Sequence, residues 1–292
     1  MGKKQYPPTA KELVQGVDKL VSLPEVCFLV NDLVNDPLSE LNEIGEIISQ
    51  DPDLTARLLK LVNGAYYGFP KKIETVSRAI MMVGLKELQH MVWSTTAVET
   101  FNDISPSDAN MATFWRHSIF TAVLSRILAR ETNVLHPERM FVSGLMHDVG
   151  QLVVYTKLPD VAQLVIDASS EDVDASRTKL EQSALGYDHG SIAGALFKEW
   201  DMPDSIVEAV EFHHNPEAAP EYHLEASIVH VADVMAHALE MGEEDNMLKA
   251  GQAFAWTTLN LPEHRIKPVM HEAVMQFLES LELLLPGASQ RL

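Results

Sequence analysis

Asp51-Pro-Asp-Leu-Thr-Ala-Arg-Leu-Leu-Lys-Leu-Val-Asn-Gly64 reads as one complete helix. Asp51 is suited to the N-cap, where its carboxylate can take a free backbone N–H. Pro52 falls on the first helical position, where a missing N–H costs nothing. Leu54, Leu58, Leu61 and Val62 recur at helical spacing and define one buried stripe. Gly64 suits a left-handed C-terminal cap. The same punctuation continues on both sides. Ser39 is placed to cap a helix through Leu41, Ile44, Ile47 and Ile48, and Thr75 one through Ala79, Ile80 and Val83. Gly84 ends that helix, and another runs from Leu85 to Phe101 with Leu88, Val92 and Val98 on one face. Period-two alternation is missing, so the fold class is all-α.

Outward from this group, residues 1 to about 20 read as a polar lead-in with a short helix. The loop Asn102-Asp-Ile-Ser-Pro-Ser-Asp108 is the best place for a boundary. It divides the chain into two helical lobes, residues 1–105 and 106–292. The second lobe opens with a helix carrying Trp115, His117, Ile119, Phe120, Val123 and Leu124. Pro137 starts a helix that runs into His147-Asp148, and Pro159 begins a further segment. Asp188 caps a helix from His189 to Trp200. Pro203-Asp204 opens one that ends at His213-His214, where Asn215-Pro216 stops it. Helices over 224–239, 245–259 and 263–285 complete the lobe. Glu171-Asp-Val-Asp174 lacks the spaced oxygens of a calcium loop and reads as a solvated acidic turn.

The chain has 292 residues, 46% of them hydrophobic, and a formal net charge of -20. A surface that acidic repels phosphate backbones, which argues against direct nucleic-acid binding. Cys27 is the single cysteine, so no intramolecular disulfide can form. It lies in an apolar run and reads as a small core side chain. The N-terminal residues have no apolar core of the secretory kind, and Tyr6 stands where a myristoylation motif wants Ser or Thr. No apolar run approaches a membrane span of roughly 20 residues. The expectation is a cytoplasmic protein that does not enter a membrane.

Gly144-Leu-Met-His147-Asp148-Val-Gly150 carries the chemistry. Adjacent His and Asp at a helix terminus can reach one ion, the imidazole through nitrogen and the carboxylate as a possible bridge between two. His117 upstream, and His189, His213-His214 and Asp233 downstream, lie in otherwise apolar helical patterns. An Asp within Ile228-Val-His-Val-Ala-Asp-Val-Met needs a partner if buried. His230 and His237 stand three and four residues from Asp233 and could orient its carboxylate, or one of them could face solvent. Arg116 reads as half of a surface ion pair, with phosphate clamping as the alternative. His90, His136, His223, His264 and His271 read as ordinary core or surface histidines. Met81, Met82 and Met146 read as core filling.

Two blocks together resemble the HDOD family. The first is Leu23-Pro24, Ile48 to Asn63, Tyr67-Gly68, Ala79-Ile80 and Val83-Gly-Leu85. The second is Phe114-Trp-Arg-His-Ser118, Gly144 to Gly150, Asp188-His189, Trp200-Asp-Met-Pro203 and His213-His214. The resemblance spans roughly residues 20 to 240, and it implies a helical relative of the HD phosphohydrolases acting as a bacterial signalling module. Set beside HD-type phosphodiesterases, it implies one metal held by His117, His147, Asp148 and Asp233. It implies a second held by Asp148 as bridge with His189, His213 and His214. Iron, manganese or zinc, one or two ions, would suit such a donor set. The implied role is regulatory, with protein partners of a signalling pathway and a nucleotide or phosphate as ligand. The alternative is a metal-dependent phosphohydrolase or cyclic (di)nucleotide phosphodiesterase. Two departures weigh against catalysis, and no catalytic residue is assigned. Gln151 stands where hydrolytic relatives often carry Lys. Asn215-Pro216-Glu217 follows the His-His pair, with none of the Gly-Tyr-Pro segment of the HD-GYP branch.

Overall fold

The computed structural model describes residues 7–15, 24–64, 67–101, 108–167, 173–242 and 251–285. Among these the chain is helical, with no strand. The N-terminal third comprises α1 (Ala10–Gln15), α2 (Glu25–Asn35), α3 (Leu41–Ser49), α4 (Pro52–Val62), α5 (Val76–Val83) and α6 (Leu85–Phe101). Then follow α7 (Asp108–Glu131), α8 (Glu138–Met146), α9 (Val149–Lys157), α10 (Pro159–Asp167) and α11 (Val173–Leu185). The last group is α12 (His189–Glu199), α13 (Asp204–Glu211), α14 (His223–Met241), α15 (Ala253–Leu259) and α16 (Glu263–Leu284), with a 3₁₀ turn at Pro216–Ala218. No helix among the described residues is long and apolar enough to cross a membrane.

The caps explain most of these boundaries. Asp51 accepts from the N–H groups of Asp53 and Leu54, and Thr75 from that of Arg78. Asp188 accepts from the N–H of Ser191 and starts α12. Two expected caps are displaced. The start of α3 is capped at Glu40, whose N–H donates to the Glu43 carboxylate at 3.3 Å, while the buried Ser39 hydroxyl makes no hydrogen bond. Gly64 does not adopt a left-handed conformation. A Cβ there would meet Glu279 Oε1 at 2.9 Å, so close approach of α16 explains the glycine better than a cap. Asn63 instead closes the turn, donating to the Ile73 carbonyl at 2.8 Å and accepting from the Ile73 N–H at 2.7 Å.

α7 is the axis of the molecule. Its 24 residues make a rod of about 36 Å, packed on α8, α14 and α16. One hydrophobic cluster runs from Leu13 through the N-terminal helices to Trp115, Phe197 and Val210. A second joins α7 to α14, α15 and α16. Both termini of the described chain reach across the middle. α1 packs on α12 and α9, with the Tyr187 hydroxyl donating to the Pro8 carbonyl, and α16 packs on both α7 and α4. A buried pair, Gln89 donating to Asn31 at 2.8 Å, ties α6 to α2. Met146 is core, as expected, but Met81 and Met82 are exposed on α5. The expected boundary loop lies outside the described residues except for Asp108, which already belongs to α7. Glu171 and Asp172 also lie outside them, and Val173 opens α11. Of the expected 245–259 helix, only α15 is described.

Candidate metal centre

Five pieces of chain deliver the predicted ligands to one place. α7 carries His117. The break between α8 and α9 carries His147 and Asp148, one closing the first helix and the other opening the second. α12 carries His189 at its first position, the turn after α13 carries His213 and His214, and α14 carries Asp233. The flanking glycines make this convergence possible. A Cβ at Gly150 would lie 2.0 Å from the His189 carbonyl oxygen. One at Gly144 would lie 2.8 Å from backbone atoms of Thr121 and Ala122 on α7. Side-chain-free positions on both flanks of His147-Asp148 let α12 and α7 close on it.

The contacts form a continuous chain. His117 Nε2 lies 3.0 Å from Asp233 Oδ1, and His147 Nε2 lies 3.7 Å from the same oxygen. His147 Nε2 is 3.6 Å from Asp148 Oδ2, while Asp148 Oδ1 is 2.9 Å from His189 Nε2. His189 Nε2 and His214 Nε2 face each other at 2.8 Å. The His213 ring centroid is 5.1 Å from that of His147 and 3.8 Å from that of His214. Ligand atoms of His117, His147 and Asp148 fall within 4.8 Å of one another, as do those of His189, His213 and His214. The structure thus brings all seven predicted residues together, in two groups with Asp148 between them. Its two carboxylate oxygens face opposite groups.

The outer hydrogen bonds dictate which nitrogen points inward in four of the five rings. His147 Nδ1 donates to the Gly144 carbonyl at 2.8 Å, and His213 Nδ1 to the Val210 carbonyl at 2.6 Å. A carbonyl only accepts, so these rings carry a proton on Nδ1, and each in its neutral form presents a lone pair at Nε2. His189 Nδ1 lies 2.7 Å from Glu181, and His117 Nδ1 3.2 Å from Glu240. Imidazoles that ligate metals are held in this way from behind, by carbonyls or carboxylates. In front, the Nε2 atoms of His147 and His213 are buried with no hydrogen-bond partner. A buried polar atom left so costs about 1–3 kcal/mol. Lone pairs of nitrogen and carboxylate oxygen aimed at common points fit a first-row transition ion.

Charge is balanced within the cluster. Burial alone would lower the pKa of His117, but Asp233 and Glu240 outweigh it and hold the ring well above its ordinary value. Glu181 and Asp148 do the same for His189. Burial pushes His213 well below the usual range, and His214 down to about 3, with neighbouring imidazoles adding to the effect. Those two rings are therefore neutral, which is the ligating form. Burial would raise Asp148 and Asp233, yet the surrounding histidines keep both carboxylates well below the ordinary value.

Among the neighbours, one departs from the sequence reading. His230 does not orient Asp233. Its Nδ1 donates to the His213 carbonyl at 2.7 Å and its Nε2 accepts from the Gln252 N–H at 2.9 Å, so it anchors the His213-His214 turn. His237 does approach Asp233, at 3.5 Å, while stacking half-exposed on the His117 ring at 4.3 Å. His90 is a core histidine, as read, buried beside Glu87 and Glu138. Arg116 is half of an ion pair, its Nε 3.9 Å from Glu240. Glu240 and Glu181 were missed. Glu240 stands seven residues after Asp233, two turns along the same helical face, a spacing that could have exposed it. Glu181 lies on a separate helix from His189, and no local spacing connects them.

The HDOD domain model matches residues 20–216 of the chain. An uncharacterized protein of Treponema pallidum (strain Nichols) is 27% identical over 215 residues, covering 73% of this chain and 41% of that protein. The match thus spans about two fifths of that relative's length. A crystal structure from Shewanella amazonensis SB2B, described as "Putative phosphohydrolase", is similar with a TM-score of 0.72 and 24% identity, over 93% of this chain and 96% of that one. Another, from Marinobacter aquaeolei VT8 and described as "Putative signal transduction protein", has a TM-score of 0.70 and 18% identity, over 98% of this chain and 62% of that one. At such identities the likeness is one of fold.

Proposed function

The chain belongs to the HDOD family, and on that premise we propose that it is a bacterial signal-transduction protein that retains an HD-type metal centre. One metal is assigned to His117, His147, Asp148 and Asp233. A second is assigned to His189, His213 and His214, with Asp148 as bridge. The observation that carries this reading is the inward pointing of the imidazole Nε2 atoms of His117, His147, His189 and His213, each of these rings held from behind at Nδ1, with the Nε2 atoms of His147 and His213 buried and unpartnered. Iron, manganese or zinc suits the donors. When bound, such ions supply a bound water of lowered pKa and a clamp for a phosphoryl oxygen.

The regulatory reading rests on what surrounds the ligands. In-line phosphoryl transfer needs positioning groups for the phosphate as well as metal. Gln151 is buried in the first turn of α9 and carries no charge. Arg116 is turned to Glu240. A nucleotide or phosphate that bound here would therefore be held mainly by the ions. Its role would be to bias the arrangement of the lobe of residues 1–105 against that of 106–292, where protein partners of a cytoplasmic pathway engage. The second reading, a metal-dependent phosphohydrolase acting on cyclic nucleotides or dinucleotides, is favoured by the complete ligand set.

Elemental analysis tests the centre. Protein from a metal-replete preparation is expected to carry one or two transition-metal ions per chain in this centre, and Asp148→Ala to lose most of these; metal-free wild type refutes the assignment. Hydrolysis assays with iron-, manganese- and zinc-loaded protein separate the two readings. Weak or no turnover of cyclic dinucleotides, cyclic mononucleotides and nucleotide monophosphates is expected. Robust turnover abolished by Asp148→Ala would replace the regulatory reading with the enzymatic one.

A further inference from the structure

A second cluster of metal-ligating side chains lies away from the centre just described, where α6 meets the start of α8. Glu87-Leu-Gln-His90 places a carboxylate and an imidazole three residues apart, hence on one face of α6. Glu138 opens α8 opposite them, and one ligand atom from each of the three falls within 4.8 Å of the others. They line a cavity of about 60 Å³ between α4, α6, α8 and α16. That is room for about two waters at roughly 30 Å³ each, and far below the several hundred Å³ of an organic-ligand pocket.

Two further observations point to an ion. His90 is only 7% exposed, and its Nδ1 is buried without a partner. The Glu87 carboxylate is divided: Oε1 accepts from the Tyr67 hydroxyl, while Oε2 is buried with no partner at all. Tyr67 thus holds the carboxylate from behind, as outer groups hold metal-ligating carboxylates. Burial, with help from Arg139, His136 and Lys86, pushes His90 down to about 4, so the ring is neutral and has a lone pair to give. Arg126 also lines the cavity, but its Nη2 donates to Gln276 at 2.8 Å and its guanidinium sits 5.0 Å over the Phe141 ring.

We propose that Glu87, His90 and Glu138 form a separate site for a single divalent transition-metal ion at the junction of α6 and α8. Two carboxylates and one imidazole are a donor set for zinc or manganese, with waters filling the remaining positions. The ion would pin the first turn of α8 to α6. The last turn of that helix runs into His147, so the two sites share one rigid element.

Zinc is the probe, and the full-length protein is the sample. Anomalous diffraction at the zinc edge from zinc-equilibrated wild-type crystals is expected to show density between Glu87, His90 and Glu138, separate from that at Asp148. In solution, Asp148→Ala is expected to keep one zinc per chain, and Asp148→Ala/Glu138→Gln to bind it at least tenfold more weakly. His90→Gln on the Asp148→Ala background is expected to match that loss. The wild-type diffraction experiment requires no variant to fold. Absence of density at this junction while zinc fills the other centre would overturn the proposal, as would equal zinc affinity in the single and double variants.

Discussion

Replacing Gly150 with alanine probes how closely the backbone must pack to build the centre. The added Cβ would sit 2.0 Å from the His189 carbonyl oxygen and 2.8 Å from its carbonyl carbon, where ordinary contact begins near 3.4 Å. The shortfall is about 1.4 Å, and the obstacle is backbone, so α9 and α12 must separate. Overpacking of a well-filled core costs about 1–3 kcal/mol, and a clash against backbone belongs at the upper end. Higher helix propensity of alanine returns roughly 1 kcal/mol. The expected net loss is about 2 kcal/mol, or roughly 4–8 °C in Tm for a chain of this size. Metal binding should suffer more than stability. A ligand is tolerated only within about 0.2 Å of its proper distance, and His189 is the residue displaced. Differential scanning fluorimetry and elemental analysis of Gly150→Ala should therefore show a lower Tm and loss of the ion assigned to His189, His213 and His214. Gly45→Ala on α3 is the control, because its Cβ would come no closer than 3.0 Å to another atom, and that atom is the Ser77 hydroxyl oxygen, the end of a side chain that can turn aside. A Gly150→Ala protein with wild-type Tm and full metal content would refute the packing argument.

Other outcomes follow from single contacts. Glu181→Gln keeps the shape but removes the charge behind His189 Nδ1, 2.7 Å away, and should weaken metal binding about 10- to 100-fold; isothermal titration with unchanged affinity would count against a ligand role for His189. Burial pushes the Cys27 thiol up to about 12, and a raised pKa keeps it protonated, so iodoacetamide at pH 8 should react at least about 1000-fold more slowly than with the urea-unfolded chain. Rapid labelling of folded protein, followed by mass spectrometry, would mean that α2 opens readily. His230→Ala removes the anchor of the His213-His214 turn, and should lower metal occupancy with little change in far-UV circular dichroism; undiminished occupancy would show that the turn holds itself.

Much of the architecture was legible because it is local. Capping by Asp51, Thr75 and Asp188 needs only a side-chain oxygen within a few residues of a free N–H, and stripes such as Leu54, Leu58 and Val62 need only the helical period. The seven residues that converge were legible for a different reason: imidazoles and carboxylates are rare inside apolar helices, and their order resembles that of a known family. Tertiary structure decided what depends on a second element. Gly64 answers to Glu279 on α16, not to its own helix end. His230 turned toward His213 rather than Asp233, because the turn after α13 offers a carbonyl at 2.7 Å. Glu181 reaches His189 from a separate helix. His90 looked like an ordinary histidine in its own helix, and only the approach of α8 sets Glu138 against it. Spacing along a chain determines which side chains share a face of one helix. Which faces meet is decided by how helices without sequence proximity pack, down to single missing Cβ atoms at Gly144 and Gly150.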